Sequence, residues 1–306
     1  KDQKPIIAVT MSTGLQGQGV VKNLSQRNCF SIRAITRNPY SQKALQLAKL
    51  SNVEIVKGDL LDENSLTKCF EGAYGIFGNT TPTKGWKPLV REYEMEQGRN
   101  LINVVKKTRA KGQLKHFVFS SICKAKDPIN NEPSPGHFSS KWDIEEYLIK
   151  NGLKEISTII RPASYFENFE GKLPGLKISE TFFPGVVKPS KKWQTIAVKD
   201  IGLWTAAIFA NPKKFIDTAL NLAGEELSGN EMADLLQRIR GKDGGKVNYI
   251  MPPRILLKLF ISDIGIMADW IERAGYGANL NDLKSLAEEE GIHMTSLAEW
   301  LKSRYL

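Results

Sequence analysis

Directly after an apolar run, Ile6-Ile7-Ala8-Val9, the chain reads Thr10-Met11-Ser12-Thr13-Gly14-Leu15-Gln16-Gly17-Gln18-Gly19. Glycines in a turn between a strand and a helix let the backbone bend sharply and approach a diphosphate. The helix start then offers N–H groups and the positive end of its dipole. Gly14 and Gly17 match the second and third glycines of a G-x-x-G-x-x-G loop, and Met11 stands where the first belongs. A second signal follows the next strand, at Thr36-Arg37-Asn38-Pro39. In a dinucleotide fold this turn faces the adenosine ribose. An acidic residue there accepts from the 2′-hydroxyl, whereas arginine pairs with a 2′-phosphate. Arg37 has no acidic neighbour in the turn, and Lys43 adds a second cation, so NADP(H) is expected over NAD(H).

Gly58-Asp59-Leu60 and Asn79-Thr80-Thr81-Pro82 close the third and fourth strand-like runs. A carboxylate at the first turn suits an adenine amino group, and the second lies along the path of the ribose and nicotinamide. Short-chain dehydrogenases place Tyr-x-x-x-Lys on one face of a helix, the phenol giving the proton and the ammonium lowering its pKa. Here the segment is His137-Phe138-Ser139-Ser140-Lys141. Lys141 keeps its place as a ribose contact, while His137 replaces the tyrosine. An imidazole can donate a proton, so Lys141 and His137 are the candidate catalytic groups, although a histidine at a helix start is more often a cap or a cofactor contact. Ser120, Ser121 and Cys123 follow the fifth strand but carry little weight without the tyrosine. His116 and His293 have no partner at ligand spacing, so no metal is expected.

These residues need a frame to hold them at one edge. Strand-like runs at 5–10, 31–36, 53–57, 75–80, 116–120 and 156–160 alternate with helix-like segments at 14–25, 42–50, 61–70, 89–111 and 139–151. Such alternation predicts a parallel sheet with right-handed crossovers and helices on both faces. After Arg161-Pro162 the rhythm breaks. Residues 163–195 read as loop and short strands, followed by a helix at 200–211 and a strand at 219–222. Ser228-Gly-Asn-Glu231 then opens a helix with a capping box, repeated at Ser296 and Glu299. A strand at 246–251 and helices at about 254–273, 280–290 and 297–304 complete the chain. The fold class expected is α/β, a Rossmann-type doubly wound parallel sheet with a smaller α/β C-terminal lobe. The dinucleotide domain spans 1–162, with later segments free to return to it, and the lobe of 163–306 closes the cleft.

Composition agrees. Among 306 residues, 41% are hydrophobic and 25% charged, ordinary for a globular chain. At ~150 residues per domain this is one large or two unequal domains. Lys and Arg number 43 against 33 Asp and Glu, a formal charge of +10. The excess is spread rather than blocked, so neither nucleic acid nor membrane is the expected partner. Ile255 to Trp270, the most apolar stretch, is broken by Lys258, Asp263 and Asp269. The start shows no signal peptide. Three scattered cysteines, Cys29, Cys69 and Cys123, exclude a disulfide framework and fit a reducing compartment. A cytoplasmic location is expected, extended to the nucleus for a regulator.

The order Thr13-Gly14-x-Gln16-Gly17, Thr36-Arg37-Asn38-Pro39, Gly58-Asp59, His137-Phe138-x-x-Lys141, Glu145-Glu146-Tyr147, Arg161-Pro162 and Tyr165-Phe166-Glu167-Asn168 resembles the NmrA-like family. The match continues to Leu297-Ala-Glu-Trp300-Leu. The family comprises atypical short-chain dehydrogenase-like proteins, among them a fungal nitrogen-metabolite repression regulator and a human NADPH sensor. The resemblance implies NADP binding by the glycine loop from Met11 to Gly17, Arg37, Asn38, Asp59, Leu60, Asn79, Thr80, Thr81, Lys141 and the loop Tyr165, Phe166, Glu167 and Asn168. It also implies that the regulatory branch lacks dehydrogenase activity and binds protein partners such as transcription factors. Met11 departs from the glycine pattern. Three functions stay open, in this order: a non-enzymatic NADP(H)-binding regulator, an NADPH-dependent reductase using Lys141 or His137, and a scaffold that has lost its nucleotide.

Overall fold

The computed structural model describes residues 4–83, 90–123, 135–171, 177–241, 245–260 and 262–305. The first six strands are β1 (Ile6–Val9), β2 (Ser31–Thr36), β3 (Val53–Lys57), β4 (Ala73–Gly78), β5 (His116–Ser120) and β6 (Ser157–Pro162). Every residue of β5 is buried, whereas β3, at one end of the sheet, is partly exposed. That contrast follows from the sequence, since a strand covered on both faces must be apolar throughout. Connecting helices are α1 (Leu15–Arg27), α2 (Gln42–Leu47), α3 (Glu63–Cys69), α4 (Arg91–Ala110) and α5 (Gly136–Lys150). The start of the fourth helix expected at Leu89 lies outside the described residues.

The rest of the chain forms β7 (Ser164–Tyr165), β8 (Phe182–Pro184), β9 (Lys192–Ile196), α6 (Val198–Ala210), α7 (Pro212–Phe215), β10 (Thr218–Leu222) and β11 (Glu225–Ser228). These lead into α8 (Gly229–Arg240), β12 (Asn248–Ile250), α9 (Arg254–Phe260), α10 (Ser262–Arg273), α11 (Leu280–Glu289) and α12 (Leu297–Tyr305). Strand β11 and helix α7 were not expected. Glu225-Glu-Leu-Ser228 has no apolar alternation and is a strand through its antiparallel pairing with β9. The single helix expected over 254–273 is two, with Ser262-Asp263 opening the second.

Seven strands make one sheet in the order β10-β6-β5-β4-β1-β2-β3. β1 pairs in parallel with β2 on one side and β4 on the other, so the winding reverses at β1. Ligands of open parallel sheets sit outside the carboxyl ends of the strands at such a reversal. This is the doubly wound α/β architecture expected.

The chain divides into two compact units. The first comprises Lys1–Ile122, Ser139–Arg161 and Lys199–Leu220, and the second Cys123–Phe138, Pro162–Val198 and Asn221–Leu306. Phe70, Phe117, Phe119, Leu101, Val105, Ile144 and Leu148 belong to the core of the first. There α4 and α5 approach so closely that a Cβ at Gly98 would lie 2.3 Å from Ile144. In the second unit, β11-β9-β7 and β12-β8 form small sheets. Phe169 stacks edge-on to Phe183 and Trp193 there, and Phe138 to Trp270. Ser228 and Glu231 make the expected capping box, as do Ser296 and Glu299. No described helix is long and apolar enough to cross a membrane.

Candidate functional site

The glycine loop joins β1 to α1 in the first unit. Thr10, fully buried, accepts the Asn79 N–H on its hydroxyl oxygen at 3.0 Å, which ties the ends of β1 and β4 together. Ser12 fastens the loop to β2, its amide and hydroxyl both donating to the Ile35 carbonyl at 3.1 and 2.8 Å. Met11 has φ of 51°, the left-handed region that a glycine enters freely. Its carbonyl accepts the Gly14 N–H at 2.8 Å. A Cβ on Gly17 would meet that same carbonyl at 2.2 Å, so only glycine fits position 17 without movement. Gly14 is the N-cap of α1 and provides no side-chain cap, and the first turn holds no acidic residue. The helix therefore presents its dipole end without a built-in anion, the arrangement a phosphate needs.

Arg37 follows β2 with its side chain exposed, and its Nη1 lies 3.5 Å from the Tyr93 hydroxyl. Asn38 is also exposed, its Oδ1 accepting the Tyr40 N–H at 3.1 Å. After β3, Asp59 accepts the Leu61 N–H on Oδ1 at 3.0 Å. Leu60 is buried, and its carbonyl is held by Asn100 at 3.0 Å. One cleft is lined by Thr10, Met11, Thr13, Thr36, Arg37, Gly58, Asp59, Leu60, Thr81, Tyr93 and Gln97. Arg37, Gly58 and Asp59 also line a neighbouring cavity of about 550 Å³, which Lys57 and Lys68 share. Arg37, Asp59, Leu60, Thr81 and the start of the glycine loop thus come together in one place. Leu15, Gln16 and Gly17 continue from that loop as the first turn of α1.

At the ends of β4 and β5 sits Lys141, from α5. Its Nζ donates to Asn79 Oδ1 at 3.0 Å, to the Thr80 carbonyl and hydroxyl at 3.1 Å each, and to the Ser120 carbonyl at 3.4 Å. It also lies 3.3 Å from a carboxylate oxygen of Glu94, whose side chain is entirely buried. Thr80 donates its hydroxyl proton to Glu94 at 2.8 Å, and Ser140 donates to the other oxygen. Gln97 pins Thr81, donating to its carbonyl at 2.9 Å and accepting its N–H at 3.3 Å. Sequence reasoning missed Tyr93, Glu94 and Gln97. Their signal was there: the buried stripe through Leu101, Val104 and Thr108 runs back at helical spacing through Gln97 and Glu94. Polar residues on a core stripe require partners.

His137 and the Tyr165–Asn168 loop belong to the second unit. The His137 Nδ1 pairs with Asp263, which also accepts the backbone N–H groups of Gly136 and His137 at the start of α5. Burial pushes the Asp263 carboxyl up, but the hydrogen bond and charge of His137 and the two amides outweigh it and hold it below its ordinary value. His137 is thus a partner of the carboxylate that caps its own helix. In the other loop Phe166 is buried and packs on Trp300 at 5.8 Å. Glu167 accepts the Val198 N–H at 3.0 Å, and burial raises its pKa. Phe166 and Glu167 therefore serve packing, while Tyr165 and Asn168 stay half-buried, Asn168 donating to Ser164 at 3.4 Å.

A model of the NmrA-like family matches residues 3–301. An NmrA-like family domain-containing oxidoreductase of Aspergillus hancockii is 34% identical over 166 residues, covering 54% of this chain and 48% of the relative. A second such oxidoreductase, from a Cladobotryum species, is 34% identical over 165 residues with the same coverage. The chain spans about half the length of these two curated relatives. An NmrA-like family domain-containing protein of Dictyostelium discoideum is 26% identical over 313 residues, 97% of this chain and 96% of that protein. Among solved structures, NmrA, a negative transcriptional regulator, in complex with NADP has a TM-score of 0.80 at 20% identity, covering 99% of this chain and 96% of that one. An NADPH-dependent quinone oxidoreductase of Escherichia coli complexed with NADPH has a TM-score of 0.74 at 22% identity, covering 98% and 100%.

Proposed function

The chain belongs to the NmrA-like family, and on that footing we propose that it is an NADP(H)-binding regulator that acts through a protein partner. The observation that carries the proposal is that the loop leading into the uncapped α1 start, through Met11 and Thr13, lines one cleft with Arg37. These residues fit a dinucleotide bearing a 2′-phosphate. Backbone N–H groups in the first turn of α1 hold a diphosphate, the Arg37 guanidinium pairs with the 2′-phosphate, and the Asp59–Leu60 turn borders the adenine. Lys141 and the Asn79–Thr81 turn hold the nicotinamide ribose. When bound, the nucleotide brings a nicotinamide able to carry hydride. The two candidate proton donors already have partners: Lys141 donates to Asn79 and Thr80, and His137 is bonded to Asp263.

In this reading nucleotide occupancy biases a partner-binding state through different affinities for two conformations. The partner in this reading is a transcription factor, and the protein acts in the cytoplasm and also in the nucleus. A reductase is the second reading, favoured by the oxidoreductase names of the relatives that are 34% identical. Titration with NADPH, read by tryptophan quenching, tests the binding that both readings share. NADPH oxidation across a panel of quinones and aldehydes then separates them: no turnover supports the regulator, and turnover abolished in Lys141→Ala supports the reductase. A flat titration leaves a scaffold without nucleotide.

A further inference from the structure

Glu94 takes part in no step above, yet it is the entirely buried carboxylate beneath Lys141. It accepts from Thr80 and Ser140 and lies 3.3 Å from the Lys141 ammonium. The network links α4, α5 and the carboxyl ends of β4 and β5. Because the Thr80 hydroxyl proton goes to Glu94, that oxygen is left to accept from Lys141 at 3.1 Å. A buried ion pair is a poor way to gain stability, since apolar residues of similar volume commonly do as well. Its distinctive property is electrical. The anion cancels the lysine's charge at the carboxyl ends of β4 and β5, while Arg37 after β2 is left exposed.

We propose that Glu94 sets the balance between oxidised and reduced nucleotide by neutralising Lys141 under the nicotinamide. This rests on the reading that the cleft takes NADP(H). An oxidised nicotinamide carries a positive charge and the reduced ring carries none. A bare ammonium beneath it would therefore penalise NADP+ and leave NADPH untouched. With Glu94 in place that penalty is removed, and the pocket tolerates both forms. Glu94 acts on the nucleotide through Lys141, as a positioning and charge-compensating residue.

The test compares dissociation constants for NADP+, NADPH and 2′,5′-ADP, the last having the 2′-phosphate end but no nicotinamide. In Glu94→Gln, which keeps the shape and loses the charge, NADP+ weakens relative to NADPH by about tenfold, as for a unit charge at partly screened range. Binding of 2′,5′-ADP stays at the wild-type value. Glu94→Asp, which keeps the charge, preserves the wild-type ratio. Lys141→Gln removes the cation instead and moves the ratio the opposite way, which decides the matter should Glu94→Gln fold poorly. An unchanged ratio in Glu94→Gln, an equal shift in Glu94→Asp, or loss of all three ligands together overturns the inference. Wild-type protein that binds none of the three overturns the nucleotide reading itself; wild-type binding with no ratio shift overturns only the role of Glu94.

Discussion

Gly17 rests against the main chain of Met11: the Cβ that alanine would add lies 2.2 Å from the Met11 carbonyl oxygen and 2.8 Å from the Ser12 Cα. Both obstacles are backbone, so no rotamer change relieves them. Gly17→Ala is expected to lower stability by about 2 kcal/mol, the usual size of an overpacking strain, and to push the loop away from its phosphate-binding form. Urea unfolding and NADPH titration check the two effects. Wild-type values in both would mean that the close approach is not real.

Met11 itself supplies the converse experiment. A non-glycine residue at φ of 51° is held against a preference of ~1–2 kcal/mol. Met11→Gly relieves that cost and restores the full glycine pattern, so NADPH binding stays equal or tightens. Weaker binding would show that the thioether is a nucleotide contact rather than a substitute for the first glycine.

Arg37→Ala removes the guanidinium expected to meet the 2′-phosphate. A charge-assisted hydrogen bond contributes about 1.5–3 kcal/mol, so NADP+ affinity falls by roughly 10- to 100-fold while NAD+ affinity is nearly unchanged. Calorimetric titration with each nucleotide reads the difference. Equal losses would remove Arg37 from the 2′-phosphate role.

His116 makes a pH prediction. Its Nε2 lies 2.8 Å from the Thr158 oxygen, whose own proton goes to the Phe215 carbonyl at 2.7 Å. Nε2 is thus the donor, and Nδ1 is a buried acceptor with no hydrogen-bond partner. Burial lowers this imidazole from 6.5 to about 4. Its folded pKa is below its unfolded one, so the unfolded chain takes up the proton first as pH falls. The contribution is complete above about pH 6.5, shrinks as pH drops towards 4, and amounts to about 3 kcal/mol in all. Replacing His116 with Gln should flatten the stability profile over that window. An unaltered slope would contradict the assignment.

Asp263 caps the start of α5 and orients His137. Its carboxyl pKa is held below the ordinary value, so its contribution is present above the unfolded pKa of ~4 and is lost as pH falls through the folded value. Asp263→Ala should cost about 1–2 kcal/mol at neutral pH, the size of a lost cap plus a charged hydrogen bond. Thermal melts at pH 7 and at stepwise lower pH test this: the two proteins differ at pH 7, and the difference shrinks once pH falls below the unfolded value of ~4. A constant difference would mean that the carboxylate charge is not involved.

The strand positions and the glycine loop were readable because they rest on local signals. β1, β2 and β5 are apolar runs of strand length, and the Ser228–Glu231 and Ser296–Glu299 boxes need only four residues each. Lys141 was placed at its helix by spacing alone. What escaped notice were partners fixed by tertiary packing. Asp263 meets His137 across 126 residues of sequence, and Glu94 reads as one more acid on an amphipathic helix until the fold buries it. Strand β11 was likewise invisible, since its partner β9 and not its own residues makes it a strand. The positive φ of Met11 followed from the missing glycine only once the loop's bonding to Gly14 was known.

The most direct test is a crystal structure of the protein grown with excess NADP+. The account predicts density for the diphosphate over the α1 start at Gly14–Gly17, with the 2′-phosphate against the Arg37 guanidinium. Density for a protein whose cleft is empty, with the Met11 side chain filling the turn, would contradict it.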